Sequence, residues 1–408
     1  MDPNNTAGEK EHWPQGDLVV RRFLSLISKC HPIDNGDPYL GSRTIQEGFL
    51  IEQVNMEKDL LTELRSDLLP QLGRQITDLV PPLDPARLKE DPGLQLRIVS
   101  GIQAELEQTL QQIRSALSIL CPDPLPSERI RTNDQHLDGL KSFRREGLHY
   151  RIIEEILPDV MCLFHQSETL ILQMKLSTNK ALQYPCIAVT REQIIEYASS
   201  ALEGIQGGIQ WLEGSEFDLV QYDWPNEICG MDEQLEELLE LINGTTHLKE
   251  SSRIPGPLSD SVVQLSKSLL PILKLSRLFF NKLSKQGMNR KRLSLYTEIR
   301  SDQLDRLCKL AGNVNRELDA VAAVLRTADR SDGRFARPAC TQIVGALEAH
   351  FESALLLLYL YFLPLIPDTD GFPIQNYFKA WFATWHTQFG LVIQNLIATA
   401  RLFDEDAL

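Results

Sequence analysis

The sequence predicts an all-α protein built from long antiparallel amphipathic helices in two packed helical bundles, about nine or ten helices in all. Three observations predict it. Apolar residues recur every three or four positions over long stretches, strict alternation is nearly absent, and the breaks between periodic stretches are short and rich in Pro and Gly. The chain has 408 residues, 43% of them apolar and 24% charged, which suits a globular protein with a real core and leaves room for two domains.

In chain order, residues 1–16 are polar with no apolar run, so they read as a disordered terminus rather than a secretory signal. The turn-rich HPIDNGDPYLGS follows at 31–42. Leu61, Leu64, Leu68, Leu72, Ile76 and Leu79 then lie on one helix face. VPPLDP at 80–85 ends that segment, because proline denies the helix a donor and constrains the residue before it. Val99, Ile102, Leu106, Leu110, Ile113, Leu117 and Leu120 mark a second long helix. CPDPLPSERIRTND at 121–134 reads as an extended connection.

YPCIAVT interrupts the pattern, with Thr190 and Gln193 spaced as a capping box, and there the domain boundary is placed. The expected domains are 17–188 and 189–408. Ile194, Ala198, Leu202, Ile205, Ile209 and Leu212 form the next stripe. SSRIPGPLSD (251–260) precedes another helix, with Pro257 suited to a first helical position. Leu307, Leu310, Val314, Leu318, Val321 and Leu325 repeat the long stripe, and RSDGRFARPA ends it.

The apolar run from Ala354 to Ile366 contains Pro364 and reaches only about 20 Å as a helix, against about 30 Å of bilayer hydrocarbon. It therefore reads as a core helix rather than a membrane span. After the hinge at PDTDGFP, Tyr377, Trp381 and Trp385 recur at every fourth position. Such rings are foremost core residues, with a partner groove or ligand pocket as the other readings.

Charge is segregated. Residues 186–260 hold fifteen acids and three bases, and residues 261–337 hold sixteen bases and seven acids, within a net charge of −15. The basic peak, KLSKQGMNRKRLS, offers Lys282, Lys285, Arg290, Lys291 and Arg292 as a candidate partner-binding patch. The same segment is compatible with a nuclear import signal, and Lys291-Arg292-Leu293-Ser294-Leu295 matches the loose pattern by which cyclin partners dock. The overall charge and the lack of aromatic interleaving argue against nucleic acid.

No motif assigns chemistry. The seven cysteines have no C-x-x-C spacing, so scattered reduced thiols are expected in a cytoplasmic or nuclear protein. Cys162, His165 and Glu168 share a helix face without completing a metal set. The glycines of EGIQGGIQ fit neither a dinucleotide nor a phosphate loop, and more often permit close helix packing. Asp232-Glu233-x-x-Glu236-Glu237 has the general outline of the magnesium-binding clusters of isoprenoid cyclases, but one aspartate precedes three glutamates and the companion motif is absent.

The C-terminal PLIPDTDGFPIQNYFKAWFATWHTQF is similar to a signature of an uncharacterised all-helical family of fungal proteins, to which no activity is attached. In architecture the chain also resembles the vinculin/catenin-like helical proteins that include cyclin-D-interacting factors. The expectation is a soluble, non-enzymatic protein–protein interaction or scaffold module with no cofactor or metal and no membrane. The alternatives are a helical enzyme or carrier of a lipophilic or diphosphate ligand, and a nuclear regulatory protein using residues 282–294.

Overall fold

The computed structural model describes residues 12–31, 47–121, 133–179, 186–243, 260–290, 293–328, 336–368 and 373–406. These are all-α, with no strand among the described residues. The helices are α1 (Trp13–Cys30), α2 (Glu47–Glu63), α3 (Leu69–Leu79), α4 (Pro85–Glu90), α5 (Pro92–Leu120), α6 (Ser142–Tyr150), α7 (Leu157–Gln173) and α8 (Ile187–Glu213). They continue as α9 (Glu216–Val220), α10 (Trp224–Asn243), α11 (Asp260–Leu283), α12 (Ser301–Cys308), α13 (Leu310–Ala328), α14 (Ala336–Leu357) and α15 (Ile374–Asp406).

Three rods carry a π-helical stretch, at Leu64–Leu68, Arg151–Ile156 and Leu358–Phe362. Each is followed by Leu-Pro, at Pro70, Pro158 and Pro364. A helical proline lacks the N–H and collides with the carbonyl four residues earlier. That carbonyl belongs to Ser66, Glu154 or Leu360, each inside its π stretch, and the wider turn makes room for the ring. The rods therefore continue past Pro70 and Pro158, whereas at Pro364 a single 3-10 turn closes the rod at Leu365 and Ile366 is extended.

The chain divides into two compact units, residues 1–130 with 139–213 and residues 131–138 with 214–408. The boundary follows α8, not residue 188 as the YPCIAVT break suggested. Helix α8 belongs to the first unit because it packs along α7 and α3. Thr190 is not a cap either. Helix α8 has already begun at Ile187, and the buried Thr190 hydroxyl accepts from Gln173 Nε2 at 3.0 Å.

In the first unit α1 packs on α5 and α7, α7 on α8, α8 on α3, and α3 on α5, closing a ring of five helices. The α5 stripe is buried as read, Ile102 excepted. On α8 the core face is Ile194, Ala198, Ala201, Ile205, Gly208 and Trp211, while Leu202, Ile209 and Leu212 lie at its margin. A Cβ on Gly204 would meet the Ile156 side chain at 3.2 Å, so the glycines of EGIQGGIQ serve close packing.

Helix α1 starts at Trp13, inside the stretch expected to be disordered, because tertiary contacts hold its first turns. Trp13 Nε1 donates to the Lys175 carbonyl at 3.2 Å, and a Cβ on Gly16 would sit 1.7 Å from the Leu176 carbonyl oxygen. Lys175 (φ 57°) takes the left-handed position that ends α7. Asp17 accepts from Ser177 Oγ at 2.5 Å, Thr178 N at 2.7 Å and Thr178 Oγ1 at 2.8 Å. Burial pushes its carboxyl up, but these hydrogen bonds together hold it below its ordinary value. A lowered carboxyl stabilises the fold above its unfolded pKa, and that contribution is lost as pH falls through the lowered value. Acid titration of urea stability checks this: Asp17→Asn is less stable than the native chain at pH 7, and the gap narrows below about pH 4.

In the second unit α11 packs on α10, α13 and α15, α13 on α10 and α14, and α14 on α15. The α13 stripe Leu310, Val314, Leu318, Val321 and Leu325 is buried throughout. The aliphatic run at 354–366 is not an isolated short helix. It continues α14, and Pro338–Leu365 is long and apolar enough to cross a membrane by length and composition. Its Cys340, Val344, Leu347, Phe351 and Ala354 are buried, in a helix packed on α13 and α15, while Leu356 (59% exposed) and Leu360 (58%) face outward.

Candidate functional site

Helix α11 has two unlike sides. Val262, Leu265, Leu269, Ile272, Leu273, Phe279, Phe280 and Leu283 are buried. On the other side, Lys267, Pro271, Lys274, Leu278 and Lys282 fall on one outward stripe, at the three- and four-residue spacing of a helix face, and Lys285 follows in the turn after the helix. Lys267, Lys274, Leu278 and Lys285 are exposed, and the lysines 267, 274 and 285 have no carboxylate partner among the described residues. Pro271 is tolerated here because the carbonyl it leaves without a helical donor belongs to Lys267, on the outward side.

Helix α15 runs antiparallel beside this face. Lys282, Leu275 and Ser268 meet Tyr377, Trp385 and Thr399 in turn. Lys282 Nζ donates to Tyr377 Oη at 2.7 Å. The same ammonium lies 4.4 Å from the Tyr377 ring centroid, 5.2 Å from Trp381 and 5.3 Å from Phe378. Such contacts contribute about 0.5–1 kcal/mol each at a part-exposed site, so the lysine is held without being neutralised. The structure thus joins a member of the basic patch to two members of the aromatic stripe.

The three predicted rings have different roles. Trp385 is 3% exposed, and its indole N–H donates to the Leu275 carbonyl at 2.9 Å. It packs with Phe279, Phe351 and Phe389 at centroid distances of 4.7–4.9 Å. Trp381 is half-buried, and Tyr377 is 45% exposed. An i, i+4, i+8 series advances about 40° per step, so it sweeps from core to surface across about 80°. The ring-filled centre of Phe279, Phe280, Phe351, Phe382, Trp385 and Phe389 is core, and the surface aromatics are Tyr377 and Trp381.

Downstream of α11 the basic segment is anchored by its uncharged members. Gln221 Nε2 donates to the Leu283 carbonyl at 3.1 Å, and the buried Asn289 donates to Asp218 Oδ1 at 2.9 Å. Gly287 allows the tight turn, since a Cβ there would lie 2.0 Å from the Lys282 carbonyl. This leaves Lys285 and Arg290 exposed. Lys291 and Arg292 lie outside the described residues. Leu293, in the cyclin-docking pattern, is buried, and the Leu295 carbonyl accepts from Glu216 N.

The acidic cluster lies on α10, which packs against α11. Arg277 Nε is 2.5 Å from Asp232 Oδ1, and Nη2 donates to Oδ2 at 3.1 Å. Both groups are about two-fifths exposed, so the pair contributes under about 1 kcal/mol. No set of three or more His, Cys, Asp or Glu residues fit to hold a metal ion occurs among the described residues. His165 faces Glu168 at 3.7 Å, while Cys162 bonds Tyr197 instead.

An open cleft of about 300 Å³ lies in the first unit between α2 and α5, lined by Leu60, Glu63, Gln108, Gln112, Ser115 and Ile119. No residue picked from the sequence as a candidate lines it. Burial pushes the Cys30 thiol up to about 12 despite Arg114, and the Cys121 thiol up to about 11 despite Arg145. Cys186 and Cys229 are exposed. At pH 8, iodoacetamide mapping should therefore show Cys186 and Cys229 alkylated in the folded chain, and Cys30 only after denaturation.

Sequence reasoning missed Leu278 and Lys274 as parts of this face. The signal for them is the helical spacing of Lys267, Lys274 and Lys282, which is weaker than the 282–294 charge peak beside it.

No curated protein and no solved structure matches the chain. Residues 57–213 match a domain of unknown function, DUF8723, and residues 215–398 match a second, DUF8721. The chain is thus similar to two domain families in tandem, one for each structural unit, with the change from one to the other falling just after α8.

Proposed function

We propose that the chain is a non-enzymatic helical-bundle module that engages a protein partner through the α11–α15 face of its second unit. The observation that carries this reading is the Lys282 ammonium held by Tyr377 and Trp381 within an outward row of lysines. Exposed aromatic surface beside positioned cations is the composition of binding hot spots, where Tyr, Trp and basic residues concentrate the energy. Phe378, Phe382, Trp385 and Phe389 of α15 are buried, so this corner is not required to hold the helix in place.

The test compares proteins retained by the native chain with those retained by two variants, Lys274→Glu/Lys285→Glu and Tyr377→Ala. A discrete partner held by the native chain and lost from both variants, with their thermal unfolding unchanged, supports the reading. An identical retained set overturns it.

A further inference from the structure

We infer that the ligand of the α11–α15 face is an acidic amphipathic helix of a partner protein, its carboxylates on the lysine row and its apolar side chains on Leu278, Tyr377 and Trp381. This rests on the reading of that face as a docking surface and names the chemistry it takes.

The cations form a row rather than a cluster. Lys267, Lys274 and Lys282 share one face of α11, about 22 Å long at 1.5 Å per residue, and Lys285 follows in the turn just past the helix. A rod-shaped partner of about four turns matches that length. Between the cations lies apolar ground. Leu278 is 48% exposed midway along the row, and Tyr377 and Trp381 flank its Lys282 end. An amphipathic helix with acids beside its apolar stripe offers both complements at the same spacing. Lys282 is already positioned by Tyr377, which lowers the side-chain entropy lost when a carboxylate meets it.

The chain also contains an example of this pairing. Helix α10, with MDEQLEELLELI at its core, packs along another side of α11. Met231 and Leu238 of α10 are buried, and its Asp232 pairs with Arg277 of α11. The outward face likewise sets basic side chains beside an exposed apolar one, Leu278, but no helix of the described chain covers it.

Phosphate polymers and anionic bilayers fit less well. A net charge of −15 opposes a dense polyanion more than a helix with a few carboxylates. The row is made of lysines, without the arginine forks that favour bidentate phosphate recognition.

The test is fluorescence anisotropy with the full chain and a labelled 18-residue synthetic helix of Leu and Glu, Leu at every third or fourth position. The same helix with Lys for Glu, a 20-nucleotide single-stranded DNA and phosphatidylserine vesicles are run beside it. The acidic helix should bind, weaken steeply between 50 and 300 mM NaCl, and lose about tenfold or more in affinity to Lys274→Glu/Lys285→Glu. Neither substituted lysine has a described partner, so folding is not at stake. No binding of the acidic helix, equal binding by the variant, or stronger binding of DNA or vesicles overturns the inference. If partner retention depends on the face while the synthetic helix does not bind, the docking site stands and its acidic-helix ligand falls. If retention is also unaffected, both fall.

Discussion

Phe351→Ala is expected to destabilise the second unit by about 3–5 kcal/mol, the loss for removing a large ring from a packed core. Phe351 is fully buried on α14. Its ring lies 4.9 Å from both Trp385 and Phe389, 5.0 Å from Phe279 and 6.0 Å from Phe280. Four neighbouring rings on α11 and α15 cannot all move in to fill the space. Hydrogen exchange read by mass spectrometry localises the effect: amides of α11, α14 and α15 should exchange faster, while α1, α5 and α7 remain protected. Tyr377→Ala, at the surface end of α15, should cost under about 1 kcal/mol. Equal losses from the two substitutions would mean that the rings do not divide into core and surface as described.

The second large effect belongs to the first unit. A Cβ on Gly147 would stand 1.9 Å from Trp211 Cζ2, with two further indole atoms at 2.6 Å. Trp211 cannot yield easily. It is 3% exposed, donates to the Arg144 carbonyl at 2.9 Å, packs against the Phe143 ring at 5.6 Å and carries the Arg151 guanidinium 5.0 Å from its ring. Gly147→Ala should therefore cost about 3 kcal/mol or more, the upper range for overpacking, and displace the indole. Urea unfolding followed by tryptophan emission reads both consequences. A Gly147→Ala chain as stable as the native one would show that α6 and α8 are less tightly apposed.

How legible this was depended on which forces were local. The stripes of α5 and α13 were legible because a 3.6-residue period buries one face whatever the neighbouring helix is. The π-helical stretches were not. The stripe from Leu61 to Leu79 reads as one helix through Pro70, but nothing in the apolar period signals the wider turn that precedes each Leu-Pro. Continuity through such a turn lengthened the apolar run at 354–366 into α14. The boundary after α8 depended on what α8 packs against, which YPCIAVT does not encode.

At the candidate site, the charge row and the aromatic stripe were both visible as patterns. Their meeting was not, because Lys282 reaches Tyr377 only through the antiparallel pairing of α11 with α15, 95 residues apart. The drift of an i, i+4, i+8 series across the helix surface is likewise simple geometry, but which end becomes core depends on where α11 lies. Tyr377, Trp381 and Trp385 look equivalent in the sequence and are not equivalent in the fold.

The proposed docking face is tested most directly by lysine acetylation footprinting of the native chain alone and with any protein that co-purifies with it, read by mass spectrometry. Bound partner should slow acetylation of Lys267, Lys274, Lys282 and Lys285 together, while exposed Lys379 of α15 and Lys89 of the first unit react at unchanged rates. Protection elsewhere with the α11 row unaffected would contradict it.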